Sequence, residues 1–309
     1  DTEMSKLEQD PRIDPRIKKI MGAVPPRPQA DVSSREEYLA RANRPEALET
    51  IEKTRALFEM VDNDQVATSE GLDIMQSMSC FYGIYRAWGK LIANQGVAVA
   101  MVDFRNCVHP SSAPEVAPYP AGLNDCVSGV KWLVDNAAEL GIDPAHIVIA
   151  GESGGGNLTL ATGMRLLREG ETGLVKGLYA LCPYIAGSWP QDKYPSSVEN
   201  NGLLLDLHNN TGAMAYGIEE FEKGNPLAWP AFATEDDVRG LPPTVISVNE
   251  CDPLRDEGIE FYRLLMRSGV SARCVQLMGT IHGSDVFVIA CPDISRETAA
   301  SIARFCRQA

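Results

Sequence analysis

Positive charge is scarce in this chain: 28 lysines and arginines stand against 42 aspartates and glutamates, a formal net charge of −14. With no basic stripe and no basic amphipathic helix, nucleic acid and anionic membrane surfaces are excluded as main partners. Long apolar runs are missing too. No stretch approaches the roughly 20 residues of a membrane span, and the opening Asp1-Thr2-Glu3-Met4-Ser5 has no apolar segment of signal-peptide type. Histidine is rare, at 109, 146, 208 and 282 only, with no second ligand at metal spacing, so neither a metal nor an organic cofactor is expected. The eight cysteines, at 80, 107, 126, 182, 251, 274, 291 and 306, form no C-x-x-C pair. Several sit in apolar strands and read as buried free thiols of a reducing compartment, which implies a cytoplasmic protein.

What is present is a nucleophile elbow. The run His146-Ile147-Val148-Ile149-Ala150-Gly151-Glu152-Ser153-Gly154-Gly155-Gly156-Asn157-Leu158 is a short apolar strand that turns at once into a helix, with a serine between Gly151 and Gly155. So tight a turn leaves no room for β-carbons beside the serine, which is the reason expected for both glycines. The turn lifts the hydroxyl above the sheet and aims the first amides of the helix, Gly154 first, at a developing oxyanion. Leu158, Ala161, Met164 and Leu167 follow at helical spacing up to Gly170, which sets this motif apart from a chance G-x-S-x-G.

A serine hydroxyl is a weak nucleophile, so an acid and then a histidine are expected further along. The strand 244–249 runs out into Glu250-Cys251-Asp252-Pro253-Leu254-Arg255-Asp256-Glu257-Gly258, which puts Asp252 at the carboxyl end of a strand. A helix ending at Gly269 and a strand over 274–278 follow, and the next loop, Gly279-Thr280-Ile281-His282-Gly283, carries His282. Taken alone, Asp252 reads equally well as a helix cap beside Pro253, and His282 as a solvated loop residue. Three groups in the expected order at three strand ends outweigh those separate readings. Asp256 is the fallback acid; Asp256 and Glu257 are expected to close the turn after Asp252, and Glu152 to make a supporting hydrogen bond. His109 reads as a loop residue and His146 as a solvated start of the elbow strand. Tyr184, Trp189, Tyr216, Trp229 and Phe232 are candidates for lining a pocket, and equally for simple core.

On the elbow, the Asp252-Pro253-Leu254-Arg255-Asp256-Glu257-Gly258 run, Val99-Ala100-Met101-Val102-Asp103-Phe104-Arg105-Asn106, Pro118-Tyr119-Pro120-Ala121-Gly122-Leu123-Asn124-Asp125-Cys126 and Asn225-Pro226-Leu227-Ala228-Trp229-Pro230, the chain resembles the hormone-sensitive-lipase-like carboxylesterases, most of all the brefeldin A esterase type. The resemblance covers roughly residues 10–306. It implies an α/β-hydrolase with Ser153 as nucleophile, Asp252 as acid and His282 as base. It also implies a His-Gly-Gly-Gly oxyanion loop, and here the chain departs from the pattern: no histidine precedes two glycines, and the one Gly-Gly-Gly is 154–156 in the elbow. By the strand and hairpin lengths usual in such sheets, roughly 30 to 45 residues of the pattern are absent at Ile74-Met75. Loss of that segment would leave Gly154 as the main donor and expose apolar edges, which is compatible with a homodimer.

The alternation of periods implies an α/β class with a mostly parallel, doubly wound sheet. Strands are expected over 97–103, 147–150, 177–182, 244–249 and 274–278, and helices over 122–139, 155–169 and 293–306. Residues 1–70, broken by prolines and with the most regular helix over 47–62, read as an N-terminal helical cap. Residues 71–309 read as the hydrolase core, with a cap insertion at about 184–240. The resulting expectation is a serine carboxylesterase acting on small or medium uncharged esters or lactones. A non-catalytic ligand-binding relative, favoured by the missing loop and disfavoured by His282, and acyl transfer to another acceptor stay open.

Overall fold

The computed structural model describes residues 4–22, 28–73 and 83–309. The junction of Ile74 and Met75, and any loop belonging there, lies outside these residues. Four strands, β1 (Val148–Glu152), β2 (Gly177–Leu181), β3 (Thr244–Asn249) and β4 (Ala272–Leu277), form a parallel sheet in sequential order. Register runs Val148 to Gly177, Leu178 to Thr244 and Thr244 to Ala272. Every residue of β2 and β3 is buried, as continuous apolar runs of central parallel strands require.

The two-residue period of the strands divides the core. Leu178, Ala180, Ile246 and Val248 pack on one face with Leu160, Ala161 and Met164 of the helix Gly154–Arg168. On the other face Tyr179, Leu181 and Val245 meet Leu91 of the helix Gly83–Ala93 and Ile302 of the helix Pro292–Gln308. Each large apolar side chain fully removed from water contributes about 1.5–3 kcal/mol. The helix after the elbow stops where Gly170 takes φ +70°, a left-handed residue just past its end.

Two expectations need correction. The helix over 122–139 is two pieces, Ala121–Asp135 and Ala137–Leu140, broken at Asn136. More important, the segment 97–103 is not a strand and joins none of the described ladders. Its side chains pack on helices: a β-carbon at Gly89 would touch Met101 and Val99, and one at Gly129 would touch Val102. A short apolar run suits a strand, but a strand also needs a neighbour for its amides. Among the described residues β1 has one ladder neighbour, β2, and Val99, Met101 and Val102 are each about 40 % exposed.

The N-terminal residues bear on the site. Leu7, Ile13 and Ile17 form a cluster with Leu203, Cys251, Ile281 and Cys291, beneath the two loops that follow β3 and β4. The amide of Asp14 donates to Gly279 O at 2.9 Å, which ties this segment to the loop carrying His282. The long connection between β2 and β3 is a series of short helices, Ser196–Glu199, Thr211–Tyr216, Ile218–Glu222 and Glu235–Val238.

Candidate active site

Parallel strands put all their carboxyl ends on one edge, so the residues after β1, β3 and β4 converge. Ser153 follows β1 with φ +59° and ψ −114°, a strained conformation for a residue with a β-carbon. It is held there by its amide, which donates to Leu181 O at 2.9 Å, and by its carbonyl, which accepts from the amides of Asn157 and Tyr184. A β-carbon on Gly151 would stand 2.1 Å from Gly155 O and 2.6 Å from Thr159 Oγ1. Gly155 is a different case, because a β-carbon there meets nothing within 4 Å. The expectation that both glycines make room for the turn is thus corrected: Gly151 lacks space, while Gly155 supplies the backbone that fills it. Gly154 also faces open space, with its amide at the start of the helix.

His282 lies in a loop turned by Gly279 and Gly283, both near φ +70°. The loop is stitched to β3 by Asn249 Nδ2, which donates to Thr280 Oγ1, and by the amide of Cys251, which donates to Thr280 O. His282 Nε2 is 2.9 Å from Ser153 Oγ and its Nδ1 is 2.7 Å from Asp252 Oδ2. Asp252 is fully buried and divides its oxygens: Oδ2 meets the imidazole, while Oδ1 accepts from the amide of Leu254 at 2.9 Å. Asp252 is not the helix cap, since the residue before the helix Arg255–Arg267 is Leu254, and its Oδ1 closes the turn ahead of that helix while Oδ2 meets the imidazole. Burial works against a charged imidazole, but the Asp252 carboxylate outweighs it and holds the His282 pKa well above 6.5.

The other candidates fall as follows. Asp256 pairs with Arg255 Nε at 3.0 Å and accepts from the amide of Ser196 at 2.7 Å, away from the imidazole. Glu152 Oε2 accepts from Tyr85 OH at 3.0 Å, and its Oε1 lies 3.6 Å from His282 Nε2. His146 precedes β1 in a 3₁₀ turn and is paired with Asp143 at the surface. His109 is in a loop, and burial lowers its pKa. Tyr184, Trp189, Tyr216 and Trp229 form one aromatic knot, while Phe232 packs on Phe221 beside it. Among the described residues one group has the spacing of metal ligands, Glu152, Cys182 and His282.

Glu257 departs most from expectation. It does not close the turn after Asp252 but is buried beneath the 185–189 segment, where its carboxylate accepts from the amides of Ile185 and Ala186 and from Trp189 Nε1, all at 2.7–2.8 Å. Burial pushes its carboxyl up to about 8 against the pull of those three donors. No local pattern reveals this, because the partners lie 68 to 72 residues upstream. Glu257→Leu leaves three buried N–H groups unpaired and is expected to cost about 3–5 kcal/mol. A lowered urea midpoint at unchanged m-value measures it; an unchanged midpoint would remove Glu257 from this role.

A hydroxyl, an imidazole and a buried carboxylate joined in series at the carboxyl edge of a parallel sheet are the arrangement of a serine hydrolase. The chain belongs to the alpha/beta hydrolase fold family, whose sequence profile matches residues 83–285. It is 58% identical to esterase Est22 in its solved structure, with a TM-score of 0.95 over 98% of this chain and 99% of that one. It is 30% identical to brefeldin A esterase, described as a bacterial homologue of human hormone-sensitive lipase, with a TM-score of 0.76 over 96% of this chain and 94% of the other. Carboxylesterase NlhH of Mycobacterium tuberculosis is 31% identical over 66% of this chain and 62% of its own length. An arylesterase of Saccharolobus solfataricus is 32% identical over the same shares. The chain thus spans about three-fifths of the length of the curated relatives it matches. No helix among the described residues is long and apolar enough to cross a membrane.

Proposed function

We propose that this chain is a serine carboxylesterase of small or medium uncharged esters or lactones. The observation that carries the reading is the unbroken series Ser153 Oγ, His282 Nε2, His282 Nδ1 and Asp252 Oδ2, with links of 2.9 and 2.7 Å. Ser153 Oγ attacks the ester carbonyl while His282 Nε2 takes its proton. Asp252 keeps Nδ1 protonated and offsets the imidazolium charge. The oxyanion is met by the Gly154 amide and the positive end of its helix. His282 returns the proton to the leaving alcohol, and water then releases the acid from the acyl-serine by the same steps in reverse. In this reading residues 1–70 and about 184–240 form the cap over the core, and the free thiols suit a cytoplasmic setting. Names of relatives favour the esterase reading over a ligand-binding one.

Release of p-nitrophenol from p-nitrophenyl acetate or butyrate by the purified chain tests the proposal, and absence of any turnover above buffer would refute it. The reaction needs neutral His282, so kcat/KM should rise with pH along an acid limb. Because the Asp252 carboxylate raises the imidazole pKa, the midpoint of that limb is expected above 6.5, with activity lost as pH falls through it. A pH profile with a midpoint below 6 would contradict the assignment of His282 as the base.

A further inference from the structure

The sheet edge beside Ser153 holds a second set of converging atoms. Glu152 ends β1, Cys182 follows β2 and His282 follows β4, and a carboxylate oxygen, a sulfur and a ring nitrogen from them lie within 4.8 Å of one another. We propose that these three side chains form an inhibitory site for a thiophilic divalent cation, zinc or cadmium, which competes with Ser153 for the lone pair of His282 Nε2.

The spacing supports a tetrahedral ion. Bond lengths near 2.0–2.3 Å put neighbouring ligand atoms about 3.3–3.7 Å apart. His282 Nε2 and Glu152 Oε1 are 3.6 Å apart, Cys182 Sγ and Glu152 Oε1 are 3.8 Å apart, and the sulfur lies within 4.8 Å of the imidazole, so the three atoms need only draw together to hold the ion. The donor set of one nitrogen, one sulfur and one oxygen selects zinc or cadmium and disfavours magnesium and calcium, which take oxygen. The orientation is also prepared, because Nδ1 is held by Asp252, as metal-bound imidazoles usually have their other nitrogen held by a carboxylate. Ser153 Oγ, 2.9 Å from Nε2, stands where a fourth ligand would approach.

Charge points the same way. The Glu152 and Asp252 carboxylates face one imidazole, so a cation bound there has negative groups around it. Burial pushes the Cys182 thiol up to about 12, so it enters as the neutral thiol. With His282 neutral, binding replaces the S–H bond by an S–metal bond and sends one proton to solvent; an imidazolium would release a second. The +2 ion is then balanced by one thiolate and one carboxylate. The main chain of Cys182 is held at φ +35° by its amide, which donates to Ser247 O at 2.7 Å, and its sulfur meets Glu152 Oε1.

The proposed ion shares His282 with the esterase reading, and only its inhibition arm rests on that reading. Zinc should inhibit ester hydrolysis reversibly, with full recovery on adding a chelator and no inhibition by magnesium at the same concentration. Cys182→Ser should weaken zinc inhibition by at least about 10-fold, the scale on which loss of metal-site groups acts. Cadmium added to the native chain should give an ultraviolet thiolate charge-transfer band that is lost in Cys182→Ser and kept in Ser153→Ala. This band does not depend on turnover, so it decides the case even if no ester is cleaved. Glu152→Gln, which keeps the side-chain shape, is the second variant should Cys182→Ser fold poorly, and it too should weaken zinc binding. Equal zinc inhibition of the native chain and of both variants, or a cadmium band unchanged in Cys182→Ser, would overturn the proposal.

Discussion

Ser153→Ala should lower ester turnover by roughly 10⁴- to 10⁶-fold and abolish labelling by a fluorophosphonate probe. The loss is so large because the hydroxyl is the acceptor of the acyl group: with it gone, the imidazole and the Gly154 amide can at best assist direct attack by water. The fold should be untouched, since Ser153 is held by its backbone, through Leu181 O, Asn157 N and Tyr184 N, and alanine keeps all three hydrogen bonds. An unchanged denaturation midpoint with vanished labelling is therefore the expected pair of results. Labelling that survives in the alanine variant would mean that another residue is the nucleophile.

Asp252→Asn and Asp256→Asn should differ by orders of magnitude, although only Pro253, Leu254 and Arg255 separate the two positions. An asparagine at 252 keeps the size of the side chain and can still accept from the Leu254 amide. It can also turn its NH₂ toward His282 Nδ1, which stabilises the tautomer whose Nε2 carries the proton and cannot accept another. A loss of about 10⁴ in kcat is the scale for that error. The imidazole also loses the carboxylate that raises its pKa, so the acid limb of the pH profile should move down. At 256 the carboxylate meets Arg255 and the Ser196 amide, and its neutralisation should change kcat by less than about 10-fold while lowering stability by about 1 kcal/mol. Comparable losses in the two variants would show that the imidazole is not oriented by Asp252 alone.

Much of the architecture could be read before any coordinates because it depends on local chemistry. The apolar runs at 148–152, 177–181 and 244–249 are too short for helices and are separated by helical periods, and that pattern favours a parallel sheet. Parallelism then brings the residues after each strand to one edge, so chain order alone associates Ser153 with Asp252 and His282. The features that escaped depend on neighbours remote in the chain. Val97 to Asp103 looks like a strand because it is a short apolar run rich in valine, and no local pattern says whether an adjacent backbone will accept its hydrogen bonds. Glu257 looks like a turn residue beside Asp256, yet the donors that fix it are Ile185, Ala186 and Trp189. Cys182 is one of many apolar cysteines in the sequence; only the crossing of three strand ends puts it beside Glu152 and His282.

The contact between Gly151 and the Gly155 carbonyl has a consequence for anyone who would evolve this chain toward new substrates. A β-carbon at 151 would stand 2.1 Å from that oxygen, and on the other side of the elbow one at Gly156 would stand 2.9 Å from Pro183 Cα. Both obstacles are main chain, so no change of rotamer relieves them and compensating mutations would have to move a strand end or a helix. Libraries that randomise 151–156 will consist mostly of unfolded members. Where side chain meets side chain, as in the buried cluster of Tyr184, Trp189, Tyr216 and Trp229, a swap that conserves volume can be absorbed by repacking. Variation belongs outside positions 151 and 156, with the elbow left as a constant of the design.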